Sequence, residues 1–441
     1  MTEFKYIIFF IVIFLGIPIA FMLAKRFPKV EKLLWFLLLF FTASTEDINF
    51  FSMELYRGTS KGFEIGLVDI TAMIMLLVLF SRREKYPLSL PLGSSLYFMY
   101  FTFSCISIIN SDIYIYSFFE LWKMLRMYLY FFVIYNLIRS FKDIEEFLKY
   151  MCFIVFFITV LVLKQKYFEG MFQARGPFPH QNSLVMYLIV YGSFFLSYLL
   201  NVKKSNLFLW TLAFGSCAIN ILSTLSRAGM VLFSLSIFII FILSYAHKFS
   251  WRKVGVAGLL MILGTGVLFK ASDTIMERIR TAPKESVSVR LILAKAAQNM
   301  ANDKIFGIGL NNFALKINPP YTYGNHIKRI DDEEKGGLVE TVYLMIAAET
   351  GWVNLAVFSF MLVFFYFKNL NNYMKLKRGK WRKYRYICIA LIGALLSIYL
   401  QSSLEWVLKQ TNNFYQLMFI FAVIGAISRI IKERISSENS K

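Results

Sequence analysis

Residues 175–201 read RGPFPHQNSLVMYLIVYGSFFLSYLLN. Pro177 and Pro179 keep the backbone out of a helix just before the apolar run, because proline lacks an N–H and restricts the residue that precedes it. From Asn182 to Asn201 no residue carries a charge. A helix of about 20 apolar residues crosses the hydrocarbon core of a bilayer. The stretch therefore predicts a membrane span over 182–201 with a polar mouth. Asn182 reads as its N-cap and Ser183 as its first helical residue. A cap accounts for Asn182 and leaves Arg175 and His180 to be explained.

The same pattern repeats along the chain. Thirteen candidate spans follow from it: 4–24, 30–45, 63–80, 88–110, 117–138, 147–163, 182–201, 206–223, 228–246, 254–270, 339–367, 386–404 and 412–430. The chain is 58% hydrophobic with a mean hydropathy of +0.57, which excludes an ordinary soluble globule. The expected fold is an all-α polytopic membrane protein, with about 12–13 transmembrane helices in one integral membrane domain over 1–441. The first run, Phe4–Ala24, is too long for a signal-peptide core and has no small-x-small cleavage site, so it reads as a retained span. The four cysteines lie inside apolar runs without metal spacing, which argues against a disulfide framework. No internal repeat is visible.

A formal charge of +21 would suit a nucleic-acid binder. The basic residues instead come in short clusters between apolar runs, as the positive-inside rule requires, so nucleic acid is rejected as a partner. The connections 25–32, 81–86, 139–149, 202–205, 247–253, 368–385 and 429–441 together hold 27 of the 48 Lys and Arg residues. They are expected on the cytoplasmic side, the strongly basic loop 368–385 against anionic headgroups. The segments 164–181, 224–227 and 405–411, and the long loop 271–338 with its short helices, then fall on the outer face.

Each outer segment holds polar groups that a turn does not need. Arg175, His180 and Asn182 come first. Arg227 follows in STLSRAGM, where a lone arginine often only snorkels to the headgroups. Arg290 lies in SVSVRLILAKAAQNMANDKIFGIGLNNF, in the first turn of a helix capped by Ser286 or Ser288, where a cation opposes the helix dipole. Gly307 and Gly309 there read as turn chemistry, since the strand and spacing of a phosphate-binding loop are missing. In GGLVETVYLMIAAETGW, Glu340 can serve the helix N-terminus, whereas Glu349 lies nine residues deeper, where a carboxylate is costly. SSLEWVLKQTNNF adds Glu405 and Gln410. Glu120, Lys123 and Arg126 share one helix face and read first as a self-satisfied ion-pair ladder. Several arginines with carboxylates and a histidine suit a dianionic ligand, because guanidinium forks match phosphate and stay charged.

The order RGPFPHQNSLVMYL, STLSRAGM, RLILAKAAQNMANDKIFGIGLNNF, VETVYLMIAAETGW resembles the O-antigen ligase and O-antigen polymerase family of bacterial membrane glycosyltransferases. The resemblance covers about 175–355, with SSLEWVLKQTNNF a weaker match, and the first six spans share only hydropathy. It implies a membrane glycosyltransferase C-type helical fold in the bacterial cytoplasmic membrane. It implies transfer of a glycan from undecaprenyl diphosphate to an acceptor hydroxyl on the outer face, in surface polysaccharide or lipopolysaccharide synthesis. No metal or other cofactor is implied. Arg175, Arg227 and Arg290 would then bind the diphosphate. Glu340 stands where the ligase branch usually has a histidine, which tilts the expectation toward a repeat-unit polymerase over a ligase. Glu340 and His180 are the rival catalytic groups, with Asn182, Glu349, Glu405 and Gln410 behind them. The partners implied are a lipid-linked oligosaccharide, a glycan or lipid-anchored acceptor, membrane lipids and, as a further candidate, a chain-length regulator. A lipid-linked oligosaccharide flippase fits the span count equally well, but such transporters tend to show repeated halves and midplane charges. A scaffold with a basic loop leaves the outer arginines without a role.

Overall fold

The computed structural model describes residues 2–43, 46–84, 87–202, 207–247, 249–251, 253–262, 264–266, 284–327, 337–377 and 380–439. Parts of the long loop 271–338, namely 271–283 and 328–336, lie outside the described residues, as does most of the connection 202–205. The described chain is helical, with one small hairpin. Helices α1 (Thr2–Ile11) and α2 (Ile17–Arg26) run on through a π-helical turn and form one apolar stretch, Tyr6–Arg26. Pro28 opens α3 (Pro28–Phe40), where its missing N–H costs nothing. Strands β1 (Asp47–Ser52) and β2 (Gly62–Gly66) pair antiparallel, with Asp47 opposite Gly66. Then follow α4 (Leu67–Ser81), α5 (Ser94–Ser107), α6 (Tyr114–Leu137), α7 (Phe141–Tyr167), α8 (Gln181–Asn201), α9 (Leu207–Ser223) and α10 (Arg227–His247). The chain ends with α11 (Lys284–Asp303), the single turn α12 (Phe313–Lys316), α13 (Val342–Lys375), α14 (Arg385–Gln401) and α15 (Thr411–Asn439).

The protein is an all-α polytopic membrane protein. Seven described stretches are long and apolar enough to cross a bilayer: Tyr6–Arg26, Phe141–Tyr167, Gln181–Asn201, Arg227–Ala246, Val342–Lys375, Trp381–Gln401 and Thr411–Glu433. Leu67–Ser81, Leu207–Ser223 and Lys253–Gly266 are apolar but shorter. The runs expected over 30–45 and 88–110 form helices of 13 and 14 residues. The run over 63–80 loses its first residues to β2. Helix α6 has the length, at 24 residues, but carries Glu120, Lys123 and Arg126.

The chain divides into two compact units. The first comprises Met1–Met151, Ile292–Lys368 and Ser403–Lys441, and the second Cys152–Leu291 and Asn369–Ser402. In the second unit α8 is the central helix, packed by α9, α10 and α14. Its apolar window is 94% buried, so its polar groups must find partners inside the protein. They do: Ser193 and Ser236 share a hydroxyl hydrogen bond of 2.6 Å, Ser197 donates to the Tyr386 carbonyl at 2.7 Å, and Tyr187 and Tyr191 pair at 2.7 Å.

The first unit is organised around a break in α13. Gly351 sits at φ +87°, and a Cβ there would lie 2.0 Å from the Ile305 carbonyl, so only glycine fits. Breaking a helix frees carbonyls that a bilayer cannot satisfy. The GIGLNN loop supplies the donors: Ile308 N–H reaches the Ala348 carbonyl at 2.9 Å and Gly309 N–H the Glu349 carbonyl at 3.0 Å.

Beside the break lies a buried charge quartet. Lys409 Nζ stands 2.8 Å from Glu349 Oε2 and 3.6 Å from Glu120 Oε1, and Lys123 Nζ 2.7 Å from Glu120 Oε2. Thr59 and Ser60, beyond the tip of the β1–β2 hairpin, donate hydroxyls to Glu120 at 2.8 and 2.6 Å. Asn311 in turn holds the hairpin, donating to the Ser60 and Tyr116 carbonyls at 2.9 and 2.8 Å. The expected ladder on α6 is thus only half local. Arg126 turns to Asp69 at 2.8 Å and Glu64 at 3.5 Å instead.

Removing one member of a buried pair strands a charge, which typically costs about 3–5 kcal/mol. Lys409→Met is therefore expected to lower the unfolding midpoint in detergent sharply. Adding Glu349→Gln to the same chain should restore most of it. A midpoint unmoved by Lys409→Met would contradict the ion-pair account.

Candidate functional site

The sequence-predicted site residues fall in both units, and each group is described within its own. Arg175, His180, Asn182, Arg227 and Arg290 belong to the second. The loop between α7 and α8 is shaped by Gln165 in the last turn of α7. Its Oε1 accepts the Arg175 and Gly176 N–H groups at 3.0 and 2.8 Å, and its Nε2 donates to the Gly176 carbonyl at 2.8 Å. Gly176 has φ +56°, and a Cβ there would press on Val162 at 3.3 Å. Phe178 is buried against the Tyr187 ring at 4.9 Å and pins the loop to α8. Arg175 stays exposed and donates to the Pro179 carbonyl at 3.2 Å.

The cap of α8 is not Asn182. His180 is the N-cap, its Nδ1 accepting the Asn182 N–H at 3.3 Å, and α8 begins at Gln181. The helix begins two residues earlier than the Asn182 reading, right after Pro179 and His180, so the imidazole takes the place of the usual short capping side chain. Partial burial, with the Arg175 and Arg290 cations close by, holds the His180 imidazole below its usual range. A neutral ring accepting at Nδ1 carries its proton on Nε2, so the second nitrogen is a donor.

Helix α10 begins beside this loop. The Ala174 N–H donates to the Ser223 carbonyl at 3.1 Å. Ser226 caps α10, its hydroxyl accepting the Gly229 N–H at 3.2 Å, and the next residue is the exposed Arg227. Gly229 packs against Val185 in the first turn of α8, so α8 and α10 start side by side. Arg290 is seven residues into α11, because that helix starts at Lys284 and both Ser286 and Ser288 lie inside it. It is therefore a second-turn residue, not the first-turn cation that the sequence suggested. Two helix N-termini, the exposed Arg175 and Arg227, and Arg290 near His180 make this end of the unit favourable for an anion.

In the first unit, Glu340 is half-buried and precedes α13 by two residues, so it stands outside the first turn. Glu349 belongs to the buried quartet. Burial alone would push Lys409 toward its neutral form, but Glu349 and Glu120 outweigh that and raise its pKa. Glu405 and Gln410 are buried, and the Gln410 carbonyl accepts the Phe414 N–H at 2.9 Å in the first turn of α15. Among the described residues no three His, Cys, Asp or Glu side chains gather as a metal site. Two residues escaped the sequence reading. Gln165 looks like any polar residue at a helix end. Lys409 lay inside the quoted SSLEWVLKQTNNF, and the signal was a lysine wedged between apolar Val407–Leu408 and the start of a span.

Residues 212–359 match a family model described as O-antigen ligase. The matched stretch contains Arg227, Arg290, Glu340 and Glu349, while Arg175 and His180 precede it and Glu405 and Gln410 follow it. It bears out the resemblance to the O-antigen ligase and polymerase family. A search of curated proteins returned no match.

The chain has three histidines, so histidine-selective NMR of the protein in nanodiscs is tractable. The His180 signal should titrate below the 6.5 of an ordinary histidine, in the Nε2–H form at neutral pH. The cap's contribution to stability is then complete above 6.5 and is lost as pH falls through the lower folded value, where Nδ1 becomes protonated. Arg290→Ala should raise that titration point. A normal titration point with no response to Arg290→Ala would refute the proximity of the two groups.

Proposed function

With the O-antigen ligase signature established over residues 212–359, we propose that this protein is a glycosyltransferase of surface polysaccharide synthesis, in the bacterial cytoplasmic membrane, with its site on the outer face. The donor is a glycan on undecaprenyl diphosphate. The acceptor hydroxyl attacks the anomeric carbon, the bond to the diphosphate oxygen breaks, and the lipid diphosphate leaves with its electron pair. Arg175, Arg227 and Arg290 bind the diphosphate and stabilise the charge that develops on it, each contact contributing about 3 kcal/mol. His180 donates Nε2–H to the same anion rather than acting as base, because its Nδ1 lone pair is engaged by the α8 cap. Glu340 takes the acceptor proton. The reaction needs no metal ion in this scheme, since the arginines supply the positive charge.

The observation that carries the reading is the exposed pair Arg175 and Arg227 beside the N-termini of α8 and α10, which Ala174 N–H to Ser223 and the packing of Gly229 on Val185 bring together. A glutamate where the ligase branch usually has histidine favours a repeat-unit polymerase, for which a chain-length regulator would be a partner. The family description favours the second reading, a ligase that passes finished chains to lipid A-core or another lipid acceptor.

Arg175→Ala, Arg227→Ala and Arg290→Ala should each cut transfer by about 100-fold or more, with the protein still in the membrane. Gel profiles of surface polysaccharide read the result, and wild-type chain lengths in all three would sink the proposal. A deletion strain separates the two readings. Single repeat units on the acceptor indicate a polymerase, and full-length chains left on undecaprenyl diphosphate a ligase. Purified protein that scrambles lipid-linked sugar across liposomes but joins none would establish the flippase alternative instead.

A further inference from the structure

A second polar surface lies in the first unit, built from residues other than the charge quartet. The Tyr321 hydroxyl donates to the Asp112 carboxylate, and Lys316 Nζ lies 3.3 Å from the same group. The Lys316 ammonium also donates to the Asn110 carbonyl at 2.8 Å and stands 5.6 Å from the centre of the Tyr321 ring. The Tyr323 hydroxyl donates to Asp303 Oδ2 at 2.7 Å. Asp112 acts electrostatically on Tyr323 as well as Tyr321, so the two tyrosine–aspartate pairs share one patch. Beside Asp303, Asn302 accepts the Trp352 indole N–H at 3.0 Å, and the indole is 43% exposed.

Four segments build this surface: the turn after α5, the end of α11, the NPPYTYGN stretch after α12, and α13 just past Gly351. Asn110 ties the first to the GIGLNN loop by donating to the Gly307 carbonyl at 2.8 Å. The rings are therefore held in place before any ligand arrives, which lowers the entropy cost of binding.

The chemistry is specific. A pyranose has a C–H face that stacks on an aromatic ring and a rim of hydroxyls that donate to carboxylates and amides. Phenols clamped by carboxylates offer both within one patch. A phosphate-bearing ligand, whether headgroup or nucleotide, would meet two carboxylates. An interfacial aromatic belt needs rings alone and gives no reason for the clamping aspartates. We infer that Asp112, Asp303, Tyr321, Tyr323 and Trp352 form a subsite for the uncharged sugar residues of a glycan, the chain that is extended or passed on. The inference rests on the glycan-transfer reading above and adds to it the surface that holds the sugar rather than the diphosphate.

The test uses full-length protein in nanodiscs and, as probe, oligosaccharides of one to four repeats cut by mild acid from the strain's own surface polysaccharide. Binding is read by calorimetry. The double variant Tyr321→Ala/Tyr323→Ala should raise Kd by about tenfold or more, and Tyr321→Phe/Tyr323→Phe should keep most of the affinity, because the rings remain. If the alanine pair fails to fold, as read by elution and unfolding midpoint, Asp112→Asn with Asp303→Asn carries the same comparison. Equal Kd for wild type and variants overturns the inference, as does absence of binding by the wild type. A difference that appears only when the anionic lipid fraction is changed marks a headgroup contact and also overturns it. Transfer from lipid-linked donor is assayed in parallel. Binding through the patch without any transfer by the wild type defeats the enzyme reading and leaves the subsite standing. Transfer by the wild type with unaltered binding in the variants defeats the subsite alone.

Discussion

The Glu349–Lys409 pair sits beside a helix that has been opened inside an apolar protein, and the first unit is arranged to make that tolerable. Two carbonyls freed at Gly351 need donors, and a carboxylate one turn away needs a cation. Water is not at hand for either, so both needs are met by distant chain. The GIGLNN loop brings backbone N–H groups, and the turn before α15 brings Lys409. Glu120 and Lys123 close the charge count at two of each sign, and Thr59 and Ser60 occupy the oxygen of Glu120 that faces the hairpin. Replacing such a set by apolar residues can be neutral or even stabilising, so stability alone is a weak account of it. Its consequence is specificity: this docking of loop, turn and hairpin gives each of the four charges an oppositely charged neighbour.

The second unit handles charge differently. Hydroxyls of Ser193, Ser197, Tyr187 and Tyr191 are paired along α8, and the buried cations Lys253 and Arg385 donate to the Ser244 and Tyr373 carbonyls at 2.6 and 3.2 Å. Arg175 and Arg227 are exposed. A guanidinium at the rim costs little to maintain and can exchange water for a ligand, whereas the buried quartet would lose too much by opening.

The sequence made much of this legible, unevenly. Span 182–201 was readable because burial and length coincide there. Span boundaries were less legible where apolar content ran on into other structure, as at 63–66, which pairs in a strand, and α6 carries three charges along its length. The hairpin was invisible because its partners, Asn311 and Glu120, are far along the chain. The cap of α8 was misplaced by two residues because histidine is a rare capping residue and asparagine a common one. The role of Gln165 was not readable, since a loop's hydrogen-bond hub has no sequence signature.

The position of the cationic rim follows from topology. Helices α8 and α10 are separated by one return helix, so they start at the same end of the unit, and the packing of Gly229 on Val185 brings those starts together. Any such triplet of helices places two N-termini side by side, and their dipoles alone favour an anion. What distinguishes this chain is the choice of residues there. Acidic residues in a first turn would offset that field. Here one cap is a histidine held below its usual range by partial burial and then by the Arg175 and Arg290 charges, and the other is a serine followed at once by Arg227. Arginine at a helix start is unfavourable for the helix itself. Under the proposed function, the bound diphosphate offsets that cost.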